Sequence, residues 1–457
     1  MLALFFSHLF GGDMTHAHIL IDLGFGDAGK GSMVDYFVRH SRSDLVVRFS
    51  GGAQAAHNVV TDHEHHTFRQ FGSGTLYGAR TLYTRDALLD PLMFLDEANA
   101  LMSKGVREPT SLFLIEDECA ITTIFQAAMN RVREVVRGDG RHGSCGLGIG
   151  ETMSDKEETP GRVLRVADLG NRSLVFKKLE ALQKQKLEEA LILTVDADRS
   201  LINAEMDILS DVEYVRAATD AYLNIRSFMR VIEHGQALDI LRGATMPIFE
   251  GSQGVLLDED YGFYPYITRS SVTPKQARSL CDEAGVSYSV TGILRAYAVR
   301  HGAGPMPTED KILSERVKDH HNTYGPWQRD VRVGHFDVVL ARYAIDACGG
   351  IDDLVITCTD RLAEFDQVKV ASAYVEEVQS LPLVPLALRS VGKQHKREHS
   401  EWLMRQVPLY QQFNHPDIKS SFAYQSAYAH HVHALIDRTV RLSGISRGMK
   451  AGDKYLF

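Results

Sequence analysis

A glycine-rich loop directly after an apolar run constrains this chain more than any other feature of its sequence. The run "HILIDL" leads into "GFGDAGKGS", residues 24–32, which nearly fits the phosphate-binding pattern G-x-x-x-x-G-K-[ST]. A strand, a glycine-rich turn and a helix would aim backbone N–H groups and the Lys30 ammonium at an anion. The pattern therefore predicts a phosphate site, and the alternative interpretation is a glycine-rich turn with a surface lysine.

Two residues of this loop depart from the phosphate-binding pattern. Gly31 stands where a hydroxyl would normally hold magnesium, and Asp27 introduces a carboxylate into a loop for anions. A carboxylate beside phosphate oxygens costs Coulomb energy unless it binds a cation or takes up a proton during chemistry. Asp27 is therefore a candidate magnesium ligand or a candidate general base, and the structural alternative is a helix cap.

Short apolar runs alternate with amphipathic stretches along the chain. Buried strands are predicted in "HILIDLG", "DLVVRFS", "SLFLIED", "MPIFEGS" and "DLVITCT". Helices are predicted in "KGSMVDYFVRH", "DPLMFLDEANALMSKG", "TTIFQAAMNRVREVVRG" and "FDVVLARYAIDACGG", and the charge-rich "KKLEALQKQKLEEA" predicts a solvated surface helix. This alternation predicts an α/β fold with a large, mostly parallel central sheet covered by helices, the phosphate loop after the first strand, and inserted helical and loop subdomains.

Composition excludes several classes of protein. The 457 residues are 44% hydrophobic and 24% charged with a net charge of -9, and no basic stripe with interleaved aromatics indicates a nucleic-acid partner. The five cysteines are scattered without a C-x-x-C pair, which favours reduced thiols in a cytoplasmic protein. No segment reaches transmembrane length, so a membrane partner is not expected. We predict an extension over residues 1–17, before a possible second start at Met14, with a weak signal peptide as the alternative, and one domain over 18–457.

Five motifs in order resemble the adenylosuccinate synthetase family, from about residue 18 to about 365, with a weak echo near the C-terminus. "GDAGKGS" resembles the family's G-D-E-G-K-G-K, and "VRFSGGAQAAH" resembles V-R-x-x-G-G-x-N-A-G-H. "GIGE" with "LRVADL" is similar to G-x-G-I-G followed by L-R-V-x-D-L. "FEGSQGVLLDEDYGFYPYITRSS" resembles F-E-G-A-Q-G-x-L-L-D-x-D-x-G-x-Y-P-Y-V-T-S-S, and "GILRAYAVRHGAGPMPTE" resembles G-x-x-K-A-Y-x-T-R-V-G-x-G-P-F-P-T-E.

The resemblance implies a two-step C–N ligation in purine nucleotide biosynthesis by a cytoplasmic homodimer that needs Mg²⁺. GTP would phosphorylate the 6-oxygen of IMP, and the amine of aspartate would displace that phosphate to give adenylosuccinate. Asp27 matches the family's general base and magnesium ligand, His57 the residue that hydrogen-bonds the transferring phosphate, and Gln253 a purine contact. The backbone carbonyl of Ala56 matches a second magnesium contact.

The resemblance also implies contacts to each of the three substrates. Positions matching the donor nucleotide and phosphate site are Gly26, Gly29, Lys30, Gly31, Ser32, Asn58, Cys358, Asp360, Ser446 and Gly448. Positions matching the purine nucleotide site are Gln54, Ser144, Cys145, Arg162 (or Arg165, across the dimer interface), Gln253 and Thr268. Arg329 and Arg332 are candidates for an aspartate clamp, because planar guanidinium groups match carboxylates bidentately.

Departures from the family's motifs leave other functions open. Cys358 replaces the lysine of a guanine-binding K-x-D, Gln54 replaces an asparagine, and Ser144 with Cys145 replaces a threonine pair. These changes permit a variant that uses GMP or dGMP as the acceptor, with GTP or ATP as the donor, to make a 2-amino-adenylosuccinate. A protein of another class, a non-catalytic purine-nucleotide binder or P-loop switch, would not need Asp27. The histidine-rich "DHEHH" and "HHVH" indicate a hairpin and surface or core histidines, in preference to metal sites.

Overall fold

The computed structural model describes residues 15–140, 143–195, 199–318, 331–376 and 397–457. Its strands, numbered along the chain, are β1 (His16–Asp22), β2 (Leu45–Arg48), β3 (His57–Val60), β4 (His65–Phe68), β5 (Arg80–Tyr83), β6 (Leu88–Leu89), β7 (Phe113–Glu116), β8 (Ala120–Ile121), β9 (Arg230–Ile232), β10 (Ile248–Gly254), β11 (Ser287–Arg295), β12 (Ala298–His301), β13 (Val331–Gly334), β14 (Phe336–Asp337), β15 (Asp353–Thr357), β16 (Lys369–Glu376), β17 (Gln406–Gln412), β18 (Arg441–Ser446) and β19 (Lys454–Leu456).

The α-helices of the described residues surround these strands. They are α1 (Lys30–Ser41), α2 (Pro91–Ser103), α3 (Ile124–Val136), α4 (Ile149–Glu158), α5 (Arg172–Leu193), α6 (Asn203–Ser210), α7 (Val212–Arg226), α8 (His234–Gly243), α9 (Lys275–Ala284), α10 (Lys311–Arg316), α11 (Val338–Ala347), α12 (Arg397–Met404) and α13 (Phe422–Ile436).

A ten-stranded sheet forms the centre of the fold, in the order β19-β18-β15-β11-β1-β10-β2-β5-β7-β9. Every neighbouring pair is parallel except β18 and β19. Six of the seven residues of β1 are buried, as expected for a strand covered by helices on both faces. The predicted mostly parallel sheet is therefore confirmed, and all five predicted strands belong to it.

The four helices predicted with apolar faces are also confirmed, as α1, α2, α3 and α11. Local chemistry fixes where two of them begin. Asp90 accepts hydrogen bonds from the N–H groups of Leu92 and Met93, and Pro91 occupies the first helical position. Asp337 caps α11 in the same way by accepting from the N–H of Leu340.

The prediction of a solvated surface helix at "KKLEALQKQKLEEA" is wrong for one face of α5. Leu179, Leu182 and Lys186 lie on a buried side that packs against α3, α6 and α7. The Lys186 side chain is only 2% exposed, and its ammonium is paired with an oxygen of Asp155 on α4 at 2.7 Å. A buried lysine needs such a partner, and sequence spacing does not reveal one that comes from another helix.

The described residues bear on the predicted N-terminal extension and on one histidine cluster. Strand β1 begins at His16 and Ala17 is fully buried, so the sheet includes the last two residues of the predicted extension, while residues 1–14 lie outside the described ranges. "DHEHH" belongs to the β3–β4 hairpin, as predicted, although His66 is buried.

All five cysteines are free, and no group of three or more His, Cys, Asp or Glu among the described residues could hold a metal by itself. In the same ranges, no helix combines the length and apolar character needed to cross a membrane.

Candidate active site

Five neighbouring parallel strands end at the same edge of the sheet and carry the predicted site residues. The glycine-rich loop follows β1, Gln253 lies at the end of β10, Cys358 follows β15, and Ser446 ends β18; β11 ends among them at Arg295. Ligands of open parallel sheets bind at the carboxyl ends of the strands, where loops can enclose them. The fold therefore gathers residues that are more than 400 positions apart in the sequence at one edge.

The loop after β1 has the backbone of an anion-binding turn. Gly26, Asp27 and Gly29 have φ values of 97°, 60° and 83°, in the left-handed region that favours glycine. The loop packs tightly on the end of β10, since a Cβ on Gly254 would lie 2.1 Å from the carbonyl oxygen of Gly24. This contact fixes the loop beside Gln253.

Close packing also explains the glycine at the position of the missing hydroxyl. A Cβ on Gly31 would lie 2.9 Å from the carbonyl oxygen of Asn58 and 2.9 Å from the Cβ of His57. A serine or threonine therefore does not fit without displacing β3. Glycine at position 31 therefore provides no hydroxyl ligand for magnesium, but it lets His57 pack directly against the loop.

Lys30 is held by an aspartate that the sequence interpretation missed. The carboxylate of Asp22 is fully buried, accepts from the N–H groups of Gly24 at 2.8 Å and Ala28 at 2.9 Å, and lies 3.1 Å from the Lys30 ammonium. Lys30 itself is buried, which excludes the surface-lysine interpretation. The available signal was an aspartate at the end of an otherwise apolar strand.

His57 is fixed from behind by a buried acidic network. Its Nδ1 lies 2.6 Å from Oε1 of Glu250, and its Nε2 lies 3.0 Å from the carbonyl oxygen of Ser252. Burial alone would raise the pKa of Glu250, but His57, Arg48 and the Ser73 hydroxyl outweigh burial and lower that pKa to about 2. An ionised Glu250 therefore orients the imidazole. No local sequence pattern predicts this pair, because His57 and Glu250 are far apart in the chain.

A cavity of about 540 Å³ lies over the loop; we call it the loop cavity. It is lined by the predicted donor, catalytic and magnesium-binding residues and by Gln54 of the predicted purine site: Gly26, Asp27, Gly29, Lys30, Gly31, Ser32, Gln54, Ala56, His57, Asn58, Gln253, Cys358, Asp360, Ser446 and Gly448. Its size suits a nucleotide rather than a small ion.

A second cavity of about 500 Å³, the helix cavity, lies between the sheet edge and helices α3, α4 and α5. Its lining includes the predicted purine-site residues Gln54, Ser144, Cys145, Gln253 and Thr268. Both cavities are lined by Phe25, Gln54, Gln253, Leu257 and His301, so they meet at these side chains.

Several polar atoms that line the cavities have no hydrogen-bond partner among the described residues. They include both amide atoms of Gln253, Nε2 of Gln54 and Oδ1 of Asp360, all of them buried. Burial raises the pKa of the Asp360 carboxyl, against the opposing influence of a backbone N–H and of Arg361. Because buried polar groups are normally paired, these atoms indicate where ligands bind.

The predicted arginines do not line either cavity in the part of the chain that the structure describes. Arg162 is exposed and donates to Gln185, and Arg165 donates to the carbonyl oxygen of Glu118. The guanidinium of Arg332 donates to the carbonyl oxygens of Gly302 and Gly304 and pairs with Glu309, so it braces a loop. Arg329 lies outside the described residues.

His301 is the second functional candidate that the sequence interpretation missed. Its Nε2 lies 3.6 Å from Oδ2 of Asp27, and its ring lines both cavities. A signal was present in the sequence: the family pattern quoted above has valine in R-V-G, whereas this chain has histidine in "RHG".

Comparison with known proteins places the chain among ligases of purine biosynthesis. The family model described as adenylosuccinate synthetase matches residues 19–422. The adenylosuccinate synthetase of Clostridium novyi (strain NT) is 31% identical over 385 residues, which are 82% of this chain and 85% of that protein. That of Synechococcus sp. (strain RCC307) is 34% identical over 370 residues, 78% of each chain.

Two solved structures share the fold. Fully ligated adenylosuccinate synthetase from Plasmodium falciparum aligns with a TM-score of 0.75 and 17% identity, over 98% of this chain and 100% of that chain. A cyanophage S-2L succinoaminodeoxyadenylate synthetase, bound to dGMP and to dATP as an energy donor, aligns with a TM-score of 0.59 and 16% identity, over 97% and 95%.

Proposed function

The chain belongs to the adenylosuccinate synthetase family of C–N ligases, and on that premise we propose that it joins L-aspartate to position 6 of IMP with hydrolysis of GTP. One observation carries the proposal: the carboxylate of Asp27 lies on a phosphate loop beside the junction of two nucleotide-sized cavities. A protein that only binds nucleotides gains nothing from a negative charge at that position, whereas a base needs to be there.

In the first step, the donor nucleotide occupies the loop cavity and IMP the helix cavity. Asp27 takes the proton from purine N1, the 6-oxygen forms a bond to the γ-phosphorus of GTP, and the bond to the β-phosphate oxygen breaks to release GDP. Loop N–H groups and Lys30 would hold the phosphate charge while the reacting atoms are in line, and His57 would join them once its Nε2 leaves the carbonyl oxygen of Ser252.

In the second step, the amine of aspartate attacks C6 of the phosphorylated purine. The C–N bond forms while the bond from C6 to the phosphate-bearing oxygen breaks, and the proton that the amine loses passes to the departing phosphate, which leaves as inorganic phosphate. The amide of Gln253, which has no hydrogen-bond partner within the described ranges, lies at the junction where it would orient the purine between the two steps. Arg332 and Arg329 remain our candidates for the aspartate carboxylates, with Arg332 acting there only if it leaves its present partners.

The oxygen atoms of the loop cavity suit Mg²⁺. The Asp27 carboxylate and the Ala56 carbonyl group line the same cavity, and Mg²⁺ commonly takes one or two carboxylates together with substrate phosphates and water. Asp27 and Ala56 would hold the ion, which neutralises phosphate charge when bound. The described residues offer no self-sufficient metal cluster, so nucleotide phosphates would supply further ligands.

A substrate matrix tests the proposal. The full chain is incubated with aspartate, Mg²⁺, one of IMP, GMP or dGMP, and either GTP or ATP, while phosphate release and the mass of the succino-product are followed. We expect the IMP–GTP pair to give the fastest turnover. An inert IMP–GTP pair beside an active second pair would overturn the choice of substrates, and inactivity of every pair would overturn the proposed ligation.

The substitution at Cys358 favours one alternative that the same matrix decides. Cys358 lines the loop cavity next to Asp360, where the family's K-x-D has a lysine, so the donor base has lost one of its expected contacts. GMP or dGMP as the acceptor, with ATP as a possible donor, would then yield a 2-amino product. Because the cyanophage protein with the same fold binds dGMP and an adenine donor, dATP, the pair dGMP and ATP is the first in the matrix to compare with IMP and GTP.

A further inference from the structure

We propose that His301 is a positioning residue for Asp27: its Nε2–H holds Oδ2 of the carboxylate in the orientation needed to reach the purine. The proposal rests on the proposed function of Asp27 as the base, and it adds a residue that the resemblance does not assign. The contact joins two segments that are remote in the sequence, the phosphate loop and the end of β12.

Asp27 needs an external support because its own loop provides little. Its side chain is 34% exposed, its φ is 60°, and glycines flank the residue at Gly26 and Gly29. A half-exposed carboxylate on such a loop samples several rotamers. Misplacing a reacting group by about 1 Å costs on the order of 100-fold in rate, so restricting this side chain matters.

His301 is mounted on a rigid part of the fold. It ends β12, which pairs with β13, and the loop that follows is braced by two arginines. Arg300 donates to the carbonyl oxygens of Ala303 and Pro305, and Arg332 donates to those of Gly302 and Gly304. The guanidinium of Arg300 packs directly on the loop backbone, since a Cβ on Gly304 would lie 2.2 Å from its Nη2 atom.

The polar contacts of the ring point to Asp27 as its partner. Nε2 lies 3.6 Å from the carboxylate oxygen, and Nδ1 is buried without a hydrogen-bond partner among the described residues. A carboxylate only accepts hydrogen bonds, so Nε2 carries the hydrogen in this pair. At 3.6 Å the pair is longer than a hydrogen bond. Catalytic hydrogen bonds are often long in unliganded enzymes and tighten when substrates bind, and closing this gap would fix Asp27 beside the junction of the cavities.

Two substitutions separate positioning from other roles. His301→Val removes the donor, whereas His301→Gln keeps an amide N–H at a reach similar to that of Nε2. We expect His301→Val to lower kcat by about 10- to 100-fold with little change in the KM of either nucleotide, because it misplaces the base without removing a binding contact. We expect His301→Gln to recover most of the loss.

A matched control uses the exposed His430 on α13, which lies in neither cavity. His430→Gln should leave kcat and KM unchanged. If His301→Val does not fold, His301→Asn replaces it, because an asparagine amide reaches only as far as Nδ1; positioning predicts that the Gln variant exceeds the Asn variant in kcat. Equal rates for Gln and Asn, an unchanged kcat in the Val variant, or a loss that lies wholly in KM would each overturn the proposal.

A spectroscopic readout keeps the inference separate from the proposed reaction. In protein labelled with ¹⁵N-histidine, the His301 ring signal is assigned by its loss in His301→Gln. We expect that signal to move on Asp27→Asn, while the His430 signal stays in place. A stationary His301 signal would overturn the contact whether or not any substrate pair turns over, whereas inactivity of the wild type with a moving signal would overturn only the ligation.

Discussion

Replacing the carboxylate of Asp27 should change turnover and GTP binding in different directions. Asp27→Asn keeps the size of the side chain and removes the base, so we expect turnover to fall by about 100- to 10,000-fold. Without Mg²⁺, GTP should bind the variant as well as or better than the wild type, because a negative charge beside the phosphates has gone. Steady-state turnover and calorimetric titration of GTP measure the two effects.

Asp282→Asn is the control for this loss of charge, because Asp282 is exposed on α9 outside both cavities. It should leave both measurements unchanged. Turnover within a few-fold of wild type in Asp27→Asn would remove the residue from the chemistry.

Gly31 supports a second single-residue prediction, which depends on packing. Gly31→Ala adds a Cβ 2.9 Å from the Cβ of His57, so we expect β3 to shift, turnover to drop, and the free energy of unfolding to fall by about 1–3 kcal/mol. Gly235→Ala is the control, since a Cβ on Gly235 in α8 meets no atom within 4 Å. Denaturant unfolding and turnover of both variants check the prediction, and equal behaviour of the two alanines would contradict it.

The sequence predicts site residues that belong to a contiguous motif, and it does not predict those whose partners lie far away in the chain. Asp27, Lys30 and His57 stand in contiguous motifs with chemistry that residue type and spacing describe, and the structure gathers them in one cavity. Glu250 and His301 act on partners that the chain brings from remote strands. Pairing of that kind depends on the strand order of the sheet, which no local pattern contains.

Glu250 in β10 makes a contribution to stability that depends on pH in acid. The pKa of Glu250 lies near 2 in the folded chain against 4.5 for an ordinary glutamate, so its pairing stabilises the fold fully above about pH 4.5 and is lost as pH falls toward 2. We expect Glu250→Gln to lower the free energy of unfolding by about 3 kcal/mol at pH 7. Denaturant unfolding of both proteins between pH 8 and pH 4 measures the difference.

That difference should stay constant down to about pH 5 and then shrink, because the wild type alone loses an ionised carboxylate. Glu180→Gln, at an exposed position of α5, provides the comparison and should show no such dependence. A difference that grows as the pH falls would contradict an ionised Glu250 in the folded state.

Strands with an uninterrupted run of apolar residues are the ones that the sequence predicts correctly. The five predicted strands are runs of Val, Ile, Leu or Phe, and all lie in the central sheet. Strand β11, which pairs with β1 at the centre, was not predicted, because "SYSVTGILR" interrupts its apolar residues with serine, threonine and glycine. Its Gly292 is required by packing, since a Cβ there would lie 2.5 Å from a methyl group of Leu23.

The complete fold brings two cavities to one sheet edge, and each cavity is lined by one cysteine. Cys358 lines the loop cavity and Cys145 the helix cavity, whereas Cys119, Cys281 and Cys348 are buried. Desolvation raises the pKa of the Cys145 thiol, so labelling is best done at about pH 8.5. The two half-exposed thiols thus report separately on the occupants of the two cavities.

Nucleotides should therefore protect different thiols from alkylation. We expect GTP at ten times its Kd to slow alkylation of Cys358 by about tenfold and to spare Cys145, and IMP to do the reverse, because protection follows occupancy of the adjacent cavity. Peptide mass spectrometry of the full chain measures both rates in one sample, and Cys358→Ser and Cys145→Ser assign them. Protection of both thiols by GTP alone would contradict separate donor and acceptor cavities. Protection of Cys145 by GMP or dGMP but not by IMP would move the acceptor to a 2-amino purine while leaving the division of the cavities intact.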